Sequence, residues 1–222
     1  PKGGRAAQAE DVSATRIYRV DPSAPEPAML EEGAGWLRRG GLVAFPTETF
    51  YGLGANALDR QAVRRVFEVK GRPEFQPLLI LVDSPKTAES FALEIPDVAR
   101  RLMTAHWPGP LTLVFRAVPE LSTELTAGTG TIGMRVPGHP VALGLVRAAG
   151  FPLTAPSANP SGAEPPTTAG AVRQFFEGRI DLILDGGPTP GGQPSTVLDV
   201  SVSPPRLIRP GALDVSKFLT DA

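Results

Sequence analysis

Apolar residues along the chain fall into two periods. Short apolar runs at Leu42–Phe45, Pro77–Val82, Leu111–Arg116, Ile180–Leu184 and Val197–Val200 have the length of buried strands. Arg16–Val20, Phe151–Ala155 and Arg206–Arg209 read as further short strands, the first of them at a sheet edge. Between these runs the spacing changes to that of helices with one apolar face. Leu30, Ala34 and Leu37 share a face of a helix from about Ala28 to Arg39, which Gly40-Gly41 ends. Ala62, Val63, Val66 and Phe67 do so in a helix that starts at an Asp59 cap and reaches Val69. The pattern predicts more helices up to Leu93, from Asp97 to His106, over Val141–Ala149, from Thr168 to Phe176 and over 213–221.

Strands alternating with helices predict an α/β fold: an open, twisted, mixed sheet with flanking helices. Residues 1–14 are small and polar without apolar period and read as a loose tail; 15–222 read as one domain. The chain is organised around Gly41-Leu-Val-Ala-Phe-Pro-Thr-Glu-Thr-Phe-Tyr-Gly-Leu-Gly54, a buried strand leading into a polar turn that bears glycines. Open α/β sheets place ligands at such strand ends. Phe151–Ala155 followed by Pro156-Ser-Ala-Asn159 repeats that organisation.

Composition narrows the chemistry. The 222 residues contain no cysteine and two histidines, which excludes thiolate metal sites and most zinc enzymes. A formal charge of −1 argues against a general nucleic-acid coat. No apolar run approaches membrane-spanning length and no signal peptide opens the chain, so a cytoplasmic enzyme or binding domain is expected.

One motif is a decoy. Gly128-Thr-Gly-Thr-Ile-Gly133 matches the dinucleotide fingerprint, but alternating residues and Pro137 follow it where a helix is required. Ile132, Met134 and Val136 share one face of the strand it opens, and Thr131, Gly133 and Arg135 the other. Arg135 is thus an anion clamp or a surface arginine. Lys70 and Arg72 point the same way if the chain is extended past its helix; otherwise they complement the helix dipole. Ser157 and Asn159 bind a ligand or make a turn. Trp107, between prolines, reads as a structural corner, and His106 as exposed or hydrogen-bonded. Four cations and several hydroxyls, with no nucleophile–base pair, suit the binding and alignment of a polyanion, as in nucleotidyl transfer.

Eight blocks taken in order resemble the YrdC/Sua5 family, the threonylcarbamoyl-AMP synthases of the tRNA t6A pathway. They are Pro46-Thr-Glu-Thr-Phe-Tyr-Gly-Leu-Gly54, Lys70-Gly-Arg72 (KxR), Trp107-Pro-Gly-Pro-Leu-Thr112, Arg135-Val-Pro-Gly-His-Pro140, Ser157-Ala-Asn159 (SxN), Asp185-Gly-Gly187, Ser195-Thr-Val197 and Arg209-Pro-Gly211. The resemblance implies a YrdC-like (DHBP synthase-like) fold with a large concave cavity. It implies the conversion of L-threonine, bicarbonate or CO2 and ATP to threonylcarbamoyl-AMP and pyrophosphate. By the same resemblance Thr47, Arg135, Ala155 and Ser195 hold threonine. Lys70, Glu74, Thr131, Ser157, Asn159 and Arg209 surround ATP, with Lys70 and Arg72 as the catalytic pair. Mg2+ is implied with the phosphates, with no metal held by the protein itself. A downstream threonylcarbamoyl transferase complex, weak tRNA or RNA contact and no membrane complete the implied partners. The chain departs from some relatives at Pro165 and Leu81, and ending soon after Arg209 it resembles the single-domain form. An RNA-binding module and the carbamoyl-transfer domain of hydrogenase maturation proteins are the competing readings.

Overall fold

The structure is a computed structural model that describes residues 14–73 and 76–219. Among them are ten strands: β1 Arg16–Arg19, β2 Val43–Pro46, β3 Tyr51–Gly54, β4 Ile80–Leu81, β5 Leu111–Arg116, β6 Thr131–Arg135, β7 Leu153–Thr154, β8 Leu182–Asp185, β9 Thr196–Asp199 and β10 Arg206–Arg209. Seven helices accompany them: α1 Pro27–Arg38, α2 Arg60–Lys70, α3 Pro85–Glu89, α4 Asp97–His106, α5 Thr123–Thr126, α6 Pro140–Ala149 and α7 Ala169–Phe176. The expected mixed α/β class holds.

The strands form two mixed sheets, ordered β1-β8-β2-β3 and β10-β9-β5-β6-β4-β7. A ladder in one register stitches them together. Bridges pair Gly52 with Ser157 and Asn56 with Leu153. Leu53 N–H donates to Pro156 O and Ala158 N–H to Tyr51 O, both at 2.8 Å. The ladder is interrupted at Thr154, whose hydroxyl takes the Ala55 N–H at 3.0 Å. The expected single open sheet is therefore two sheets hinged along β3 and β7.

The central stretch differs from a strand followed by loop, because residues 51–54 return as β3, antiparallel to β2. Bulky and small residues interlock in this hairpin: a Cβ on Gly54 would lie 2.6 Å from Phe45 Cε1. Successive residues of β2 face opposite cores. Val43 and Phe45 pack with α1 and α6, while Leu42 and Ala44 join the larger cluster that includes α2, α4 and α7. The helix starts are explained by capping. The Asp59 carboxylate accepts from Gln61 and Ala62 N–H, and the Thr168 hydroxyl accepts from Ala171 N–H.

Three segments depart from expectation. Strand pairing in 77–82 is confined to Ile80–Leu81. Pro77 has no N–H, and Leu78 N–H is given to Leu125 O instead. The helix expected up to Leu93 stops at Glu89. The helix expected at 213–221 is only a 3-10 turn at Ser216–Phe218, since Ala212 and Leu213 N–H are tied to Pro194 O and Thr196 Oγ1. Residues 220–222 and the predicted tail over 1–13 lie outside the described residues. No helix among the described residues is long and apolar enough to cross a membrane.

Candidate active site

The polar ends of the strands converge on one cavity of about 680 Å³ at the junction of the two sheets. Thr47, Arg72, Thr131, Arg135, Ala155, Ser157, Ser195 and Arg209 all line it. The decoy fingerprint runs into strand β6 where a helix is required, and the Thr131–Gly133–Arg135 face of that strand is a cavity wall.

Arg135 is the most informative residue. It is 4% exposed, yet its Nε has no hydrogen-bond partner among the described residues. Its nearest carboxylate, Glu48 Oε1, is 3.7 Å away, and both Glu48 oxygens also lack hydrogen-bond partners. Burial pushes the Arg135 guanidinium below the usual arginine range, and Glu48 opposes that fall. A buried guanidinium with spare donors is costly unless an anion completes it. The reading of Arg135 as a surface arginine is thereby overturned.

Arg209, on the rim strand β10, clamps Ser195. It donates from Nε and Nη2 to Ser195 O at 3.3 and 2.9 Å, and from Nη2 to Ser195 Oγ at 3.1 Å. Gly211 makes this approach feasible, because a Cβ there would meet Pro194 O at 2.3 Å and Thr196 N at 2.5 Å. Burial first, and then neighbouring cations, lower the affinity of the arginines for protons: Arg209 beside Arg72, and Arg135 beside Arg209. The cavity is therefore electropositive although the chain is nearly neutral.

Lys70 takes the helix-end alternative rather than the extended one. It is the last residue of α2, not part of an extended segment, and Gly71 caps that helix in the left-handed conformation at φ +59°. The side chain is 4% exposed and does not line the cavity. Its Nζ donates to Ser157 O and Asn159 O, each at 2.5 Å. KxR thus meets SxN through Lys70, which supports the cavity wall from behind. Burial and the nearby Arg72 lower its pKa from 10.5 to about 8. Arg72 is the member of the pair that reaches the cavity.

Asn159 also lies behind the wall. Its Nδ2 donates to Pro160 O and Ala163 O, which leaves Oδ1 buried without a partner. Thr47 shapes its turn by donating to Phe50 O and accepting from Thr49 N–H. Glu74 lies outside the described residues.

Thr112 and Glu48 were not singled out in the sequence. Thr112 lines the cavity and shares a hydrogen bond with Ser195 Oγ at 3.0 Å. Its signal was alternation along β5, which turns Thr112 and Val114 to the cavity. Away from the cavity, Trp107 is structural as expected, its Nε1 donating to Leu111 O. His106 instead stacks edge-on to Phe218, with Nε2 buried and unpartnered.

Fold and site together define a mixed α/β protein with a cavity lined by cations at the junction of its two sheets. A family model covering Sua5, YciO and YrdC, described as "Telomere recombination", matches residues 36–211, and the chain belongs to that family. It is 49% identical over 185 residues to the threonylcarbamoyl-AMP synthase of Pyrococcus abyssi, covering 83% of this chain and 54% of the relative. The Bacillus subtilis threonylcarbamoyl-AMP synthase is 45% identical over the same shares of both chains. The chain thus spans about half the length of these curated relatives. A crystal structure of P. abyssi Sua5 complexed with L-threonine superposes with a TM-score of 0.88 at 46% identity, covering 91% of this chain and 59% of that one.

Proposed function

We propose that this domain makes threonylcarbamoyl-AMP and pyrophosphate from L-threonine, CO2 or bicarbonate, and ATP. The observation that carries the reading is Arg135, a buried guanidinium with unpaired donors facing a cavity among other cations. It suits an α-carboxylate, which a guanidinium grips with two hydrogen bonds. Likeness to a relative whose structure was solved with L-threonine supports that choice of amino acid.

In this reading Arg135, Ser195, Ala155 and the Thr47 turn seat threonine. Arg72, Arg209, Thr131 and Ser157 face the nucleotide, with Glu74 added by resemblance. Lys70 and Asn159 act through the Ser157–Asn159 loop that they brace. The neutral amine of threonine adds to CO2, forming an N–C bond and losing one proton. A carbamate oxygen then attacks the α-phosphorus as the bond to the β-phosphate oxygen breaks, and the electron pair leaves on pyrophosphate. Arg72 and Arg209 offset the charge that develops there. Enclosure limits water around the labile mixed anhydride.

Among the described residues no three carboxylate or imidazole groups come together to hold a metal. The lining offers Arg72, Arg135 and Arg209 against one carboxylate, Glu164. This donor set does not fit a metal held by the protein, so Mg2+ belongs to the reading only as an ion brought on ATP, and no step is routed through it. A cytoplasmic threonylcarbamoyl transferase acting on tRNA is the partner class that would consume the product.

Mass spectrometry of a reaction with ATP, bicarbonate and threonine tests the proposal. Threonylcarbamoyl-AMP should form in step with pyrophosphate, and neither should form when any one substrate is omitted. Pyrophosphate release that is equally fast without threonine would overturn it.

A further inference from the structure

The hydroxyls of Thr112 and Ser195 form a pair whose proton count can be worked out. Arg209 can only donate, so Ser195 Oγ accepts its Nη2–H at 3.1 Å. Thr112 Oγ1 and Ser195 Oγ are 3.0 Å apart, and either can be the donor in that bond. In both cases one O–H of the two remains uncommitted. Both residues line the cavity and are nearly fully buried, at 1% and 4% exposure. The pair therefore offers the cavity one hydrogen-bond donor, backed by a guanidinium.

Position narrows what it receives. One step beyond the Leu113–Met134 pair, the β5–β6 ladder sets Thr112 opposite Arg135. Opposite residues on antiparallel strands point the same way, with Cβ atoms about 5 Å apart. On its other side Thr112 is in register with Val197 of β9, two residues after Ser195. The pair thus occupies the floor between Arg135 and Arg209. A donor between two guanidiniums favours an anionic oxygen over a neutral hydroxyl. A threonine whose carboxylate lies on Arg135 has its amine one carbon away, so the carboxylate built on that amine falls within the same stretch of floor.

We infer that the Thr112–Ser195 hydroxyl pair, backed by Arg209, is the subsite for the bicarbonate-derived carboxylate. This rests on the synthase reading above. The pair holds one carbamate oxygen and leaves the other free to attack the α-phosphorus. Thr112 is then a further substrate-binding residue, and its hydroxyl, not its shape, is what matters.

The test compares Thr112→Val, which keeps the branched shape and loses the hydroxyl, with Thr112→Ser, which keeps the hydroxyl. Initial rates are measured against bicarbonate, with carbonic anhydrase present, and against threonine and ATP separately. Threonine binding without the other substrates is measured by calorimetry. Loss of a hydrogen bond to a charged oxygen should raise the bicarbonate KM of Thr112→Val roughly 10- to 100-fold. Its threonine affinity should stay within about twofold, because Arg135 carries most of that contact. Thr112→Ser should recover most of the loss. A rise confined to the ATP KM would overturn the inference and give the pair to the α-phosphate. A weakened threonine affinity of Thr112→Val in calorimetry would overturn it and give the Thr112 hydroxyl to the amino acid itself. Equal loss in both variants, or none in either, would reduce Thr112 to a structural residue. A wild-type protein without bicarbonate-dependent product would instead overturn the synthase reading, and this subsite with it.

Discussion

Replacing Lys70 with methionine removes a buried cation while keeping a long unbranched side chain, and the structure fixes how stability should respond to pH. In the folded protein burial and Arg72 bring the Lys70 pKa from 10.5 to about 8. That fall corresponds to about 3 kcal/mol against the charged form. At neutral pH the substitution relieves this cost but leaves Ser157 O and Asn159 O without a donor, at about 1–3 kcal/mol each. The terms oppose each other, so Lys70→Met should remain folded with stability within a few kcal/mol of the wild type. The pH dependence is more decisive. Between pH 8 and 10.5 the unfolded chain holds a proton on Lys70 that the folded chain has released. Unfolding free energy therefore rises with pH across that window. A neutral amine keeps two N–H groups, enough for both carbonyls, so the contacts survive the proton's loss. Urea unfolding of both proteins at about pH 7.5 and about pH 10 should show the wild type gaining about 2 kcal/mol relative to Lys70→Met. Parallel behaviour of the two proteins would refute the argument and mean that the folded ammonium keeps its proton.

Two other substitutions separate the halves of the site. Arg135→Lys should raise the threonine requirement by roughly 10-fold or more with little change for ATP, because an ammonium cannot grip a carboxylate with a planar fork; saturation curves for each substrate check this. Gly211→Ala forces a Cβ into the backbone of Pro194–Thr196, where no flexible side chain can give way. It should cost about 1–3 kcal/mol in thermal unfolding and loosen the Arg209–Ser195 clamp, with a matching fall in product formation.

How much of this was legible depended on whether the signal was local. The helix faces of α1 and α2, the Asp59 and Thr168 caps and the strand Leu111–Arg116 follow from spacing and capping, and the structure reproduces them. The cationic set Arg72, Arg135 and Arg209 was legible as a list, since each stands at the end of a strand or just past a helix stop. Its grouping was not, because the hairpins that carry Arg135 and Arg209 are joined only by the pairing of β5 with β9, strands distant in sequence. For Lys70 the sequence leaves a helix end and an extended segment both open, and Gly71 decides for the helix end by letting the helix keep its last residue before turning. Residues 51–54 were read as loop because two glycines weaken strand propensity, while the close fit of Gly54 under Phe45 appears only once the hairpin forms. Thr112 was passed over because one threonine in an apolar strand looks like filler until its partner Ser195, 83 positions away, is beside it.

The seam between the two sheets has a mechanical consequence. Ser157 stands in the cavity wall, and the amides on either side of its pairing partner Gly52 and of Ser157 itself belong to the ladder from Tyr51 to Ala158. The width of the cavity is thus tied to that ladder, in which Thr154 puts a hydroxyl in place of a carbonyl toward Ala55 N–H. Packing beneath the seam and fit above it are two readings of one curvature. A residue such as Phe45, which lies wholly within the core and packs against Gly52 and Gly54, therefore bears on the wall through the strand it holds in place.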